Sequence, residues 1–185
     1  MDKYNVYQDM SRRTGGEIYL GIVGPVRTGK STFIKRFMEL VVIPEMSDDN
    51  EKVRTIDELP QSADGKTIMT TEPKFIPKEA AVIHFSNQET GKIRLIDCVG
   101  YLVPEAVGAI EEEKERMVKT PWSEEEIPFS KAAEIGTSKV IREHSNLGLI
   151  ITTDGSFGDI PAVNFEETLQ KTVMECEKAG KPFLI

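Results

Sequence analysis

The chain has 185 residues, 39% hydrophobic and 29% charged, which is the balance of one ordinary globular domain and not of a disordered or membrane-embedded chain. Its formal charge of -8, from 31 acidic against 23 basic residues, argues against a general affinity for nucleic acid or anionic lipid, so any phosphate site must be local. Residues 1–14 are polar with no apolar signal core, no apolar run approaches ~18 residues, and Cys98 and Cys176 form no CxxC pair. A reducing, cytoplasmic setting without a disulfide is therefore expected.

Tyr4, Val6, Tyr7 and Met10 recur at roughly helical spacing ahead of Thr14-Gly15-Gly16, so residues 1–17 read as a lead-in helix and turn before a domain over residues 18–185. Residues 18–23 are apolar and partly β-branched, as in a strand covered on both faces of a parallel sheet. From Lys30, the positions Phe33, Ile34, Phe37, Met38 and Val41 repeat at three and four residues and predict a helix that Pro44 stops. Residues 47–66 are charged and carry proline, serine and glycine, which predicts a long surface segment, and segments of that length are often functional. Residues 80–86 and 92–97 favour strand, with residues 87–91 as a glycine-containing hairpin loop, so these two strands are expected to run antiparallel.

Residues 103–128 hold three prolines and a glutamate-rich run at 111–115, read as a solvated face. Helical spacing returns over residues 130–144, an apolar strand over 147–152, and a helix over 166–179 with Leu169, Val173 and Cys176 on one side and Gly180 as its stop. The apolar residues 182–185 begin a further strand, which suggests a longer protein. No repeat or low-complexity tract interrupts this order. The expected fold is α/β, a mostly parallel sheet flanked by helices with one antiparallel hairpin strand.

Gly24-Pro25-Val26-Arg27-Thr28-Gly29-Lys30-Ser31 matches G-x-x-x-x-G-K-[ST] directly between a predicted strand and a predicted helix, the context that makes a P-loop. Its glycines let main-chain N–H groups wrap phosphates, and the helix N-terminus that continues through Thr32 adds donors and a favourable dipole. Lys30 is expected to hold the β and γ phosphates, and Ser31 to place its hydroxyl on magnesium. Asp97 ends a strand and so emerges at the carboxyl edge of the sheet, which suits a Walker B acid that orients magnesium directly or through a water. The plainer reading is a buried or capping aspartate.

Asp97-Cys98-Val99-Gly100 also fits D-x-x-G, in which the glycine amide senses the γ phosphate. Together with the antiparallel strand before it, the stretch resembles the translation-factor-related GTPases. In that class a threonine before the hairpin binds magnesium, and Thr70 and Thr71 occupy that place, with Thr67 a third candidate; ordinary loop threonines are the alternative. Tyr101 follows Gly100 where many such GTPases carry a water-positioning glutamine, so water must be positioned from elsewhere and slow turnover or activation by a neighbouring subunit is expected. Arg27 either brings positive charge to the γ phosphate or points outward. His84 and His144 have no metal-ligand partner at motif spacing, and Trp122 either anchors its proline-bordered loop or docks a partner.

Gly15 to Phe33, together with Asp57-Glu58-Leu59-Pro60-Gln61-Ser62, Gly65-Lys66-Thr67-Ile68-Met69-Thr70-Thr71-Glu72-Pro73-Lys74-Phe75 and Ala132-Ala133-Glu134-Ile135-Gly136-Thr137, resembles the stage IV sporulation protein A family of spore-coat morphogenetic ATPases, over nearly the whole chain. That resemblance implies ATP and Mg2+ as cofactors, with hydrolysis driving self-assembly into a static polymer. The expected place is the mother-cell cytoplasm at the surface of the developing spore, with other spore-coat or membrane-anchor proteins as partners and no nucleic acid. It makes Lys30 the Walker A lysine, Asp97 the Walker B acid, and Thr70 and Thr71 the sensor threonines. The motif readings add Ser31 and Asp97 as metal ligands, with one threonine of the pair, Thr71 or Thr70, as a third. The family's middle and C-terminal regions have no counterpart here. A GTPase switch and a small-molecule kinase are the competing readings. The hairpin and the acidic loops speak against the kinase. A base-reading N-K-x-D motif would follow Ile185, so only the resemblance selects ATP over GTP.

Overall fold

A computed structural model of the chain describes residues 15–60, 71–84, 90–103, 110–111, 114–156 and 160–185. The expected lead-in helix, Thr67, Thr70 and the tip of the hairpin loop lie outside the described residues. In chain order, β1 (Glu17–Val23), α1 (Lys30–Phe37), α2 (Asp49–Glu58), β2 (Lys74–His84) and β3 (Thr90–Asp97) are followed by two short hairpins. These pair β4 (Ile110–Glu111) with β5 (Lys114–Glu115) and β6 (Met117–Thr120) with β7 (Ser123–Pro128); α3 (Phe129–Lys139), β8 (Leu147–Ile150), α4 (Ala162–Lys178) and β9 (Phe183–Leu184) then follow.

The main sheet has the order β2-β3-β1-β8-β9. β1 pairs in parallel with β3 and with β8, β8 pairs in parallel with β9, and β2 alone runs antiparallel, against β3. Alternation along the central strands divides the apolar residues between two faces. Ile22 and Leu95 pack with Ile34, Met38 and Val42 of the first helical segment, whereas Val23 and Ile96 pack with Val140, Ile141, Ile150 and Cys176 on the opposite side. Each such fully buried aliphatic side chain stabilises the fold by about 1.5–3 kcal/mol relative to exposure. Cys98 and Cys176 are free and buried in that second cluster.

The helix predicted from Lys30 is α-helical to Phe37, then passes through a π-helical turn over Met38–Val42 and a 3-10 turn over Ile43–Glu45 that contains Pro44. Residues 47–60 differ from expectation, because α2 forms where a surface segment was predicted. The Asp48 carboxylate accepts from the amides of Asn50 and Glu51 at 2.8 and 2.9 Å, an N-cap that organises the first turn. Its apolar residues Val53 and Ile56 are 60% and 52% exposed, so no buried stripe announced the helix.

β2 begins at Lys74 rather than at residue 80, since Phe75 and Ile76 pair with Ile96 and Leu95 before the register shifts between Ile76 and Ala81. That shift spans Pro77, which has no N–H to offer the ladder. Thr90 and Gly91 belong to β3 and not to the loop. α4 starts at Ala162 rather than at residue 166, placing Phe165 at 2% exposure in the core. The stretch 103–128, for which no element was predicted, contains the β6–β7 hairpin, with Trp122 in its turn. Among the described residues no helix is long and apolar enough to cross a membrane, and no cluster of three metal-ligating side chains occurs.

Candidate functional site

Ile22 stands beside Asp97 in the parallel pairing of β1 with β3, so the P-loop and the aspartate leave the sheet side by side at its carboxyl edge. The loop is held from both sides. Gly24 has φ 128, and a Cβ there would come 2.3 Å from the Ile151 carbonyl oxygen, which restricts the position to glycine. The Thr28 hydroxyl lies 3.0 Å from the carbonyl oxygens of both Pro25 and Ile151. Arg27 is exposed and left-handed at φ 61, a conformation that costs a non-glycine residue about 1–3 kcal/mol. Gly29 precedes α1 with no side-chain cap, so the first amides of the helix face the loop as donors. Thr32 is exposed on that first turn.

Lys30 is buried, 5% exposed, and its Nζ donates to the Pro25 carbonyl oxygen at 2.5 Å. Burial lowers its pKa, and the neighbouring Cys98 and Asp97 oppose that shift. Ser31 Oγ donates to Asp97 Oδ2 at 2.7 Å. Burial raises the Asp97 pKa, against the hydrogen bond from Ser31 and the charge of Lys30. Asp97 Oδ1 is buried without a hydrogen-bond partner. An orphaned carboxylate oxygen beside a serine hydroxyl is an all-oxygen donor set of the kind magnesium takes, and the amide-lined loop with a buried ammonium fits phosphate oxygens.

The D-x-x-G stretch closes over this loop. Gly100 has φ 91, and a Cβ there would come 2.2 Å from the Gly24 carbonyl oxygen and 2.6 Å from Lys30 Nζ. Tyr101 N–H donates to the Gly24 carbonyl at 3.2 Å, and Val26 N–H donates to the Tyr101 carbonyl at 3.0 Å. Motif reading by itself did not reveal this strap, because nothing in D-x-x-G specifies main-chain pairing to a P-loop. The Cys98 thiol faces the Ile22 carbonyl at 3.5 Å, and burial pushes its pKa up to about 11.

Thr71 stands just ahead of β2, whose Lys74 pairs with Asp97, and therefore belongs to the same sheet edge. It is 7% exposed, and its carbonyl oxygen would lie 2.7 Å from a Cβ on Gly136 of α3. Among the described residues its side chain makes no hydrogen bond to the P-loop or to Asp97. It lines a cleft of about 480 Å³ with Lys74, Arg116 and Lys119. The Trp122 ring also packs against Gly136, with its indole N–H buried and unpartnered. His84 approaches Ser47 Oγ at 3.4 Å, and His144 packs edge-on to Phe75 at 5.4 Å.

A family model described as "Stage IV sporulation protein A, ATPase domain" matches residues 1–185. The chain is 56% identical over 185 residues to stage IV sporulation protein A of Bacillus subtilis (strain 168) and 55% identical to that of Bacillus anthracis, covering 100% of this chain and 38% of each relative. It is 50% identical over 181 residues to the Clostridioides difficile (strain 630) protein, covering 98% of this chain and 37% of that relative. The chain thus spans less than two-fifths of the length of these relatives. With its full length matched by the family model and by two of these sequences, the chain belongs to the stage IV sporulation protein A family, in the part that carries the ATPase domain.

Proposed function

We propose that the chain binds ATP with magnesium at the P-loop and hydrolyses the terminal anhydride to ADP and phosphate. The observation that carries this reading is the Ser31 to Asp97 hydrogen bond of 2.7 Å beside the buried Lys30, in a chain matched end to end by an ATPase-domain family model. In this reading the amides of residues 24–32 wrap the phosphates, and Lys30 exchanges the Pro25 carbonyl for β and γ phosphate oxygens. Ser31 and Asp97 hold magnesium, directly or through water, with Thr71 as a further ligand. Magnesium, when bound, withdraws charge from the γ phosphate. The Gly100 amide faces the γ phosphate, and Thr70 and Thr71 report its presence. The antiparallel β2 against β3 supports kinship with translation-factor-related GTPases. Residues 1–17 form a lead-in to the nucleotide-binding domain over residues 18–185.

Hydrolysis in this reading drives self-assembly in the mother-cell cytoplasm at the surface of the developing spore, together with other coat or membrane-anchor proteins. The relatives' name supports a sporulation role, and the charge of -8 disfavours nucleic acid as a partner. Lys30→Ala tests the core of the reading. Nucleotide affinity should fall by about tenfold to a hundredfold, the loss of one charge-assisted contact, and turnover should fall further. Unchanged hydrolysis by a folded Lys30→Ala protein sinks the P-loop assignment. Competition between ATP and GTP on the full-length protein decides between this reading and a GTPase switch.

A further inference from the structure

Tyr101 takes the place of a water-positioning glutamine, yet its ring is turned away from solvent and is 4% exposed. Lys171 of α4 holds its ammonium 4.8 Å from the ring centroid, an attraction between cation and π face. The same Nζ contacts Glu134 Oε1 of α3 at 2.5 Å, so one ion pair closes over the ring from both helices. On the neighbouring turn Ser138 of α3 and Arg142 both donate to Glu175 of α4, at 2.8 and 2.6 Å. Two clefts open on this seam, and Tyr101, Glu134 and Lys171 line both. Burial pushes the phenol pKa far above its ordinary value, with Glu175 and Glu134 adding to the effect. The phenol therefore keeps its proton across the physiological range and does not act as a base there.

Three attachments thus converge on one residue: its N–H on Gly24, its carbonyl under Val26 N–H, and its ring between α3 and α4. Gly100 is its immediate neighbour and has no side chain of its own to fix it. We propose that Tyr101 is a positioning residue for hydrolysis, its ring locked by the Lys171–Glu134 clasp so that the Gly100 amide is set toward the γ phosphate before the nucleotide arrives. This rests on the reading above that Gly100 faces that phosphate. Donors held in place ahead of the reaction act in the transition state without reorganisation, so releasing the ring lowers kcat and largely spares binding.

The test is steady-state ATP hydrolysis and ATP-analogue binding by the full-length protein with Tyr101→Ala, Tyr101→Phe and Lys171→Met. Tyr101→Ala should lower kcat on the order of a hundredfold, as expected for displacement of a reacting group by an ångström, while the dissociation constant for the analogue stays within about threefold. Tyr101→Phe keeps the ring and should retain kcat within about threefold, and Lys171→Met should lower it roughly threefold by loss of the cation from the ring face. Loss in Tyr101→Phe equal to that in Tyr101→Ala overturns the proposal, since the phenol oxygen would then act itself. Parental kcat in folded Lys171→Met overturns it too, and that variant remains informative if Tyr101→Ala does not fold. If Lys30→Ala also hydrolyses ATP at the parental rate, the failure lies in the P-loop reading and not in Tyr101.

Discussion

The hydroxyl of Ser31, at the start of α1, donates to a carboxylate oxygen of Asp97, at the end of β3, across 2.7 Å. This bond links the two halves of the candidate metal site while the other oxygen of Asp97 stays buried and unpaired. The folded-state pKa of Asp97 lies above the unfolded value of 3.8 because burial penalises its charge. Between 3.8 and that raised value the folded chain holds more protons than the unfolded one. Stability therefore falls as pH rises through this window, and the deficit persists at neutral pH. Asp97→Asn removes the charge yet keeps an acceptor for Ser31. We expect it to raise the melting temperature of nucleotide-free protein at neutral pH, while magnesium-dependent turnover falls about a hundredfold. A melting temperature below that of the parent would contradict the burial argument.

Gly100→Ala places a methyl group 2.2 Å from the Gly24 carbonyl oxygen, a main-chain atom that cannot swing aside. The strap must then lift from the P-loop. Single-turnover hydrolysis should slow on the order of a hundredfold, and the strained backbone should cost about 1–3 kcal/mol in a urea titration.

Trp122 is the chain's single tryptophan, and it shares Gly136 with the carbonyl of Thr71. If Thr71 moves when a γ phosphate is present, indole emission should change with an ATP analogue and not with ADP. Gly136→Ala, which crowds that carbonyl at 2.7 Å, should abolish the difference. The double change Thr70→Ala, Thr71→Ala should leave nucleotide affinity within about threefold, because the P-loop amides and Lys30 carry most of it, yet slow hydrolysis at least about tenfold. Normal hydrolysis by that double variant would remove the sensor role.

Both thiols have pKa values pushed up to about 11, chiefly by burial. About a thousandth of each is ionised near pH 8, and the thiolate is the reactive form. Neither Cys98 nor Cys176 should label with a thiol reagent in the folded chain, and both should label in urea. Fast labelling of Cys98 alone in native buffer would show that the strap over the P-loop opens readily.

The P-loop, the Asp97 edge and the alternation of strands and helices were legible in the chain because each rests on local spacing. Glycines at fixed offsets, a three-four apolar repeat and a β-branched run act within a few residues of one another. α2 escaped notice since its apolar side chains face solvent and only the Asp48 cap marks it. β2 extends beyond the apolar run that favours strand, because pairing with β3 continues on both sides of Pro77. The burial of Tyr101 is of another kind. Its strap to Gly24 and Val26 and its clasp under Lys171 join residues far apart in the sequence, and no local pattern encodes a contact between segments that meet only after the sheet has assembled. The Gly24–Ser31 pattern is carried by neighbours in sequence, whereas the pKa shifts of Lys30 and Asp97 follow from burial, a property that each residue acquires only when the distant parts of the chain close around it.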